Sequence, residues 1–185
     1  MQKPNVVFIF SDQQCWDTLG CYGQRLPVTP NLDRMAGEGV RFENAFTIQP
    51  VCGPARACSQ TGLYATQTGC YRNGIALPLH KKTLASYFAD GGYDTAYIGK
   101  WHLASTEDPG YMHPNADEAQ RKAADYMTSA IPPERRGGYR DHWMAADPLE
   151  FTYPGGAKQA RHRRRHRRGI LKRPRLPLPH AQQRI

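Results

Sequence analysis

A short apolar run near the start of the chain limits the fold more than any other feature. Residues 6–10 are consecutive β-forming side chains, bounded by Pro4 and by the polar pair Ser11-Asp12. A run of this length without polar alternation is typical of a buried central strand in a parallel sheet. The run therefore predicts an α/β fold. It places Asp12 at the carboxyl end of the strand, the edge where open α/β sheets bind ligands.

The next hundred residues alternate between helix and strand signals. Pro30 after a threonine predicts a short helix at about 30–37, followed by a brief extended segment over 40–46. Pro54 predicts the start of a second helix, which places Cys52 close to a helix N-terminus.

Two further helices and one strand complete the pattern. A helix is predicted from residue 84 to the stop signal Gly91-Gly92, and a strand over 95–99. Residues 115–131 have amphipathic helical spacing that ends at Pro132-Pro133. Because strands and helices alternate throughout, the sequence favours a doubly wound α/β architecture.

Two potential cations follow the strand predicted at 95–99. If the backbone stays extended, Lys100 and His102 point to one side and Trp101 to the other. The carboxyl ends of parallel strands meet at one sheet edge, so we expect this basic pair to lie near Asp12.

Cys52 and Arg56 are expected at the same edge. A helix N-terminus with free amides favours a bound oxyanion, and Arg56 and Lys100 are suited to neutralise sulfate or phosphate oxygens. An acid such as Asp12 is suited to hold a divalent metal that polarises an ester. The sequence therefore predicts a site that handles anionic esters.

The residues around Cys52 resemble those of a known family. Cys52-Gly53-Pro54-Ala55-Arg56 fits the Cys-x-Pro-x-Arg element on which formylglycine-generating enzymes act in type I sulfatases. Three further blocks are similar to family blocks: residues 5–23, 29–33 and 91–103. The resemblance is continuous from about residue 4 to 104 and weaker to residue 152.

The resemblance implies the N-terminal part of an alkaline-phosphatase-like α/β sandwich with a mainly parallel, incomplete central sheet. It implies a sulfuric ester hydrolase in which Cys52 becomes formylglycine, whose hydrated aldehyde attacks sulfur and later expels sulfate by returning to the aldehyde. Arg56 then orients the formylglycine, while Lys100 and His102 contact the sulfate group. The implied partners are a formylglycine-generating enzyme and a sulfate-ester small molecule or carbohydrate.

The resemblance also implies a divalent metal, usually calcium, with Asp12 as a ligand. Gln13 departs from the family pattern, since many relatives have a second Asp there. A neutral amide is still able to donate its oxygen to the metal, but it lowers the negative charge of the site. Further family ligands, an Asp followed by Asn or His, have no counterpart in this sequence.

Simpler interpretations remain for each of these residues. An isolated Cys52 is usually an inert small hydrophobe, Asp12 is suited to cap a turn, and Lys100 with His102 is compatible with a solvated strand end. Trp101 and the other four cysteines are assigned to packing. Phosphonate or phosphate ester hydrolysis is the alternative activity, because phosphonate monoester hydrolases share these blocks.

The charge distribution divides the chain into two parts. Residues 157–185 contain 11 Lys and Arg residues and no acid, whereas residues 1–156 contain 14 basic and 16 acidic residues. We therefore expect a sulfatase-like portion over 1–156 and a basic tail over 157–185, which is disordered or the product of a frameshift near 155–160. The competing interpretation is a noncatalytic fragment whose tail binds nucleic acid by counterion release.

The sequence contains no apolar stretch long enough to cross a bilayer and no signal-peptide pattern. Its five cysteines have no zinc-like spacing, which favours reduced thiols and a cytoplasmic setting. Since the predicted catalytic domain is incomplete and supplies few metal ligands, we expect negligible hydrolysis of aryl sulfates by this chain alone.

Overall fold

The computed structural model describes residues 3–107, 116–123, 126 and 129–147. These residues form a mixed helix and strand fold, which confirms the predicted α/β class. In chain order the elements are α1 (Pro30–Glu38), α2 (Cys52–Thr61), α3 (Ala65–Thr68), α4 (Leu84–Asp90), β1 (Ala96–Lys100), α5 (Glu118–Arg121) and β2 (His142–Ala146). Short 3-10 turns lie at Trp16–Thr18, Gly20–Tyr22 and Pro133–Arg135.

The two strands pair in parallel, in a register that runs from Ala96 opposite His142 to Lys100 opposite Ala146. One more hydrogen bond, from the Trp101 amide to the Ala146 carbonyl (2.9 Å), continues the pairing past the end of β1. The strand predicted at 95–99 and the parallel sheet are thus confirmed. The parallel register also brings the residues after β1 and β2 to the same sheet edge.

The hydrophobic core lies around the residue that follows β1. Trp101 is fully buried, and its indole N–H donates to the Arg135 carbonyl (2.9 Å), which satisfies the one polar atom of the ring. Tyr97 packs edge-on against it with a centroid separation of 5.0 Å. The remaining buried core residues are Ala57, Cys70, Ile75, Leu77, Leu103, Ala104, Ile131 and Ala145. The prediction that Trp101 packs in the core is confirmed.

Three predicted helices are present. Helix α1 covers the segment predicted at 30–37, and α2 begins two residues before Pro54. Helix α4 ends before Gly91-Gly92 as predicted, and the Thr83 hydroxyl caps it by accepting the Ser86 amide. Helix α1 is fixed through Asp33, whose carboxylate accepts the Cys21 amide (2.7 Å). A Cβ on Gly20 would lie 2.3 Å from the same carboxylate, so this contact requires glycine.

The predicted buried strand at 6–10 is wrong for this structure. The segment has no regular secondary structure, and its five side chains are between 42% and 81% exposed. A buried strand requires hydrogen-bonded neighbours and covering layers, and both strands within the described residues pair only with each other. The apolar run therefore has no partner that would make it a central strand.

The long helix predicted at 115–131 is also wrong. The described part of this segment holds only α5, which Asp117 caps by accepting the Gln120 amide (2.6 Å). The Ala119 carbonyl accepts from Arg135, and the Gln120 carbonyl accepts from the Thr106 hydroxyl (2.6 Å). Side chains from elsewhere thus bond to the carbonyls that would continue the helix, and it ends after one turn.

All five cysteines are free thiols. Cys58 and Cys70 are buried, as the packing assignment predicted, but Cys15 is exposed and takes no part in the core. No helix among the described residues is long and apolar enough to cross a membrane. The basic tail at 157–185 lies outside the described residues.

Candidate active site

Helix α2 places Cys52 at its first position. Val51 is extended and Pro54 lies in the first turn, where its missing N–H costs nothing. The amide of Gly53 is satisfied by the side-chain oxygen of Asn73 (2.8 Å). The Cys52 side chain is therefore half-buried at a helix N-terminus whose orientation a neighbouring loop fixes.

Asp12 joins the N-terminal segment to this site. Its carboxylate lies 2.8 Å from the Lys100 ammonium and 3.8 Å from the Arg56 guanidinium. The hydrogen bond from Lys100 lowers the pKa of Asp12. Partial burial opposes this shift, and the positive charges of Lys100 and Arg56 add to it. Asp12 is therefore held ionised between two cations.

Arg56 is buried one turn along α2 from Cys52. Its guanidinium donates to the Lys100 carbonyl (2.6 Å) and to the Tyr97 hydroxyl (3.3 Å), and it stacks 5.0 Å from the centroid of the Phe10 ring. A buried guanidinium is stable only when its charge and its donors have partners. These contacts fix Arg56 between α2, β1 and the N-terminal segment.

His102 lies on the other side of the α2 N-terminus. It is buried, and a Cβ added to Gly53 would lie 3.5 Å from its carbonyl oxygen, so the His102 backbone passes close to the residue after Cys52. The backbone of His102 is left-handed, with a φ of 59°. This turn interrupts the extended alternation that the sequence argument assumed, and Lys100, Trp101 and His102 are all buried.

Gln13 follows Asp12 with a left-handed backbone (φ 56°) and an exposed side chain. Within the described residues, no three His, Cys, Asp or Glu side chains cluster as metal ligands do. Both Asp12 oxygens face cations, and Asp12 with Gln13 offers far fewer than the six to eight oxygens that calcium takes. The described residues alone do not fit a calcium site.

A cavity of about 430 Å³ opens beside the ion pairs. Asp12, Arg56 and Lys100 line it at one end, and Phe8 and Phe10 line it elsewhere. Cys52 and His102 are not among its lining residues. The cavity thus combines two cations and a carboxylate with apolar walls.

Sequence reasoning missed two residues of this cluster. Asn73 accepts the Gly53 amide in the first turn of α2, and the only sequence signal for it is the turn-forming pair Asn73-Gly74. Tyr97 donates to the Lys100 carbonyl (2.5 Å) and accepts from Arg56. It lies within a predicted strand, where an aromatic residue gives no sign of a role in the site.

A scan of family models matches residues 4–155 to the sulfatase family. Among curated proteins, the uncharacterized sulfatase YidJ of Escherichia coli strain K12 is 47% identical over 103 residues, which cover 56% of this chain and 21% of that protein. The N-acetylglucosamine-6-O-sulfatase of Bacteroides thetaiotaomicron is 37% identical over 125 residues, covering 68% of this chain and 22% of that protein.

A similar fold occurs in the crystal structure of yidJ, a candidate sulfatase of Bacteroides fragilis. It matches with a TM-score of 0.61 and 34% identity, over 80% of this chain and 32% of that one. This likeness confirms the alkaline-phosphatase-like fold class. The chain spans about a fifth of the length of the two curated relatives.

Proposed function

This chain belongs to the sulfatase family, and we propose from that premise that the site around Cys52 serves sulfuric ester hydrolysis. The observation that carries the proposal is the set of contacts at Asp12. The Asp12 carboxylate is held ionised by two cations, Lys100 and Arg56, and Arg56 lies one turn along α2 from Cys52 at the start of that helix. This arrangement brings the modifiable cysteine, cationic groups and a helix N-terminus together.

Cys52 is proposed as the residue that a formylglycine-generating enzyme converts to formylglycine. The hydrated aldehyde supplies the nucleophilic oxygen for attack on sulfur and allows sulfate release. The Cys-x-Pro-x-Arg element supports this assignment, as does the position of the half-buried Cys52 at the start of α2. Asn73 keeps that end in place through the Gly53 amide.

Arg56 and Lys100 are proposed to bind the sulfate group. With Asp12 ionised, the two cations and one carboxylate leave a single net positive charge, which complements a sulfate monoester with one negative charge. The Lys100 side chain is 6% exposed, so its charge acts in a medium where screening is weaker than in bulk water. His102, which follows two residues later, is proposed to contact the same group.

Asp12 and Gln13 are proposed to supply two oxygen ligands of a divalent metal, with calcium as the expected ion. The described residues do not complete that coordination shell, so the other donors belong to parts of a sulfatase outside them.

A sulfated carbohydrate is the proposed substrate class. One relative is by its name an N-acetylglucosamine-6-O-sulfatase. The cavity beside Lys100 has aromatic walls at Phe8, Phe10 and Tyr97, and aromatic faces suit the apolar faces of sugar rings.

We propose that the sulfatase portion covers residues 1–156 and that the basic tail at 157–185 is separate from it. The family match ends at residue 155, one residue before this boundary, and all 11 tail cations lie beyond it. Deleting 157–185 is expected to leave the Cys52 site intact and to remove any salt-sensitive DNA binding. DNA binding that survives the deletion would show that residues 1–156 bind DNA.

Modification of Cys52 tests the proposed function directly. The full chain is produced with and without a formylglycine-generating enzyme, and the peptide containing Cys52 is analysed by mass spectrometry. We expect the mass loss of a thiol replaced by an aldehyde, and we expect the aldehyde to react with a hydrazide probe.

Cys58 provides a matched control, because it lies in the same helix but is buried. Cys58→Ser is expected to retain the modification, whereas Cys52→Ser is expected to abolish it. An unmodified Cys52 in the presence of an active generating enzyme would contradict the proposal. Tighter binding of phenyl phosphonate monoesters than of phenyl sulfate would favour the alternative activity.

A further inference from the structure

We propose that the chain has a second oxyanion site in a cavity of about 410 Å³ between residues 77–86 and 133–140. Three cations line this space, Lys81, Arg135 and Arg140, against one carboxylate, Glu134. We call it the Arg135 cavity. Its ligand is a sulfate-type oxyanion, either free or as an ester.

Arg135 is the central group of this cavity, because it is a buried cation without a counterion among the described residues. It is 8% exposed, and its guanidinium donates to the carbonyls of Leu77 (3.3 Å) and Ala119. Within the described parts of the chain, no carboxylate forms an ion pair with it. Carbonyl oxygens satisfy donors but leave the charge uncompensated, and a buried charge without a counterion is unfavourable.

The other two cations lack ion-pair partners as well. Among the described residues, neither Lys81 nor Arg140 lies within 4 Å of a carboxylate, whereas the adjacent Lys82 pairs with Asp90 at 2.8 Å. Lys81 is half-buried and Arg140 is exposed, so they lie nearer to solvent than Arg135 does. The cavity therefore has a positive interior and a positive rim, which an oxyanion would neutralise.

The Arg135 cavity is separate from the Cys52 site. The two cavities share no lining residue among those described. The Trp101 indole bonds to the Arg135 carbonyl, and a Cβ on Gly137 would lie 2.6 Å from the same ring. The core around Trp101 thus backs the cavity, which gives it a fixed wall.

The cavity volume exceeds that of a sulfate ion and admits a sulfated sugar. Pro78 and Leu79 line it beside the cations and offer apolar surface that a free ion does not use. The chemistry recognised is the sulfate group. Whether the site binds the free ion or a sulfate ester is determined by comparing inorganic sulfate with a glucosamine that carries two sulfates.

Hydrogen exchange on the full chain tests this proposal, because it reports where an anion binds. Sodium sulfate is titrated against sodium chloride at constant ionic strength, so that the basic tail is screened equally in both series. Sulfate is expected to slow exchange in residues 77–86 and 133–140, and chloride is not. The disulfated sugar is titrated in parallel, and tighter binding than that of sulfate assigns the cavity to an ester, whereas equal binding assigns it to the free ion.

The double variant Lys81→Ala, Arg140→Ala is expected to lose affinity for both ligands by roughly tenfold or more, since each lost contact is a charged hydrogen bond. The control Lys82→Ala, Arg34→Ala removes the same charge from exposed positions and is expected to bind as the unmodified chain does. Cys52→Ser is also expected to leave this protection unchanged, which separates it from the proposed hydrolase site. Equal affinity in the two double variants, or absence of protection in these segments, would overturn the proposal.

Discussion

Residues 3–51 and 52–147 differ sharply in how their apolar side chains are packed. The first region contains no buried residue, although it carries Val7, Phe8 and Phe46 at 81%, 61% and 90% exposure. The described part of the second region contains the whole core around Trp101. Both regions are rich in apolar and aromatic residues, so composition does not explain the contrast.

The two regions differ in whether other elements pack against their apolar side chains. In the second region, β1 pairs with β2, α2 packs against α3 and α4, and Ala57 of α2 belongs to the buried cluster around Trp101. In the first region, α1 contacts mainly the turn at Gly20–Tyr22, and its Leu32 and Met35 remain exposed. Burial supplies most of the stabilisation of a fold, so the two regions are expected to differ in stability. The candidate site joins them through Asp12.

The largest expected difference between the two regions is in the reactivity of their cysteine thiols. Burial raises the pKa of Cys70 to about 12, and because the thiolate is the reactive form, Cys70 stays protonated at pH 8. Cys15 is exposed in the first region. Alkylation by iodoacetamide at pH 8, followed by mass spectrometry, is expected to label Cys15 roughly a thousandfold faster than Cys70.

Denaturant provides the control for this measurement, since unfolding removes the burial of Cys70 and should equalise the two rates. Similar rates in the native protein would show that the core around Cys70 opens as readily as the first region. The proposed contrast between the regions would then fail.

Replacing one aromatic residue in each region is expected to lower the free energy of unfolding by amounts that differ by several kcal/mol. Trp101→Ala removes a fully buried ring and should lower the free energy of unfolding by about 3–5 kcal/mol. Phe8→Ala removes a ring that is 61% exposed and should lower it by less than about 1 kcal/mol. Urea unfolding followed by circular dichroism measures both. A loss of similar size in Phe8→Ala would mean that residues 6–10 pack as a strand in solution.

The sequence predicts strands at residues 6–10 and at residues 95–99, yet only the second segment is a strand. Residues 95–99 and 6–10 both have β-forming side chains, and only β1 finds a hydrogen-bonding partner in β2. Strand formation depends on distant segments, whereas the ends of α1, α2 and α4 depend on nearby proline, threonine and glycine. The ends of these three helices were therefore predictable, whereas the loss of the strand at 6–10 and the early end of the helix predicted at 115–131 were not.

The candidate site was predictable in its composition but not in its contacts. Asp12, Arg56 and Lys100 meet as expected, although residues 6–10 form no strand that would bring Asp12 to a sheet edge. The contacts of Asn73 and Tyr97 depend on loop conformations that no spacing rule specifies.

Removing the Asn73 side chain is expected to have a smaller effect on stability than losing Trp101. Asn73→Ala deprives the Gly53 amide of its acceptor and should cost about 1 kcal/mol, the usual effect of a lost helix cap. Asn31→Ala, at an exposed position of α1, is the matched control and should cost little. The same urea unfolding experiment compares them. Equal effects would show that Asn73 does not hold the start of α2.

The smallest expected effect concerns the ion pairs that tie Asp12 to the core. Lys100 lowers the pKa of this carboxyl below its unfolded value of 3.8, so the stabilisation is fully present above about pH 4 and is lost as pH falls through the folded pKa. Its size is below about 1 kcal/mol, because the Asp12 side chain is 38% exposed and solvent screens the pair. The backbone amide chemical shifts of residues 3–12, followed by NMR, should move toward random-coil values below pH 4.

Two variants isolate this titration from general acid unfolding. Asp12→Asn cannot ionise, so the amide shifts of its residues 3–12 should lie close to random-coil values at every pH and show no step. Asp141→Asn removes another carboxyl whose pKa is lowered, here by the Thr95 amide, and it lies at the start of β2, away from Lys100. It should retain the step in residues 3–12. Loss of the step in Asp141→Asn, or its retention in Asp12→Asn, would contradict this prediction. Either result would mean that contacts other than those of Asp12 hold residues 3–12 to the core.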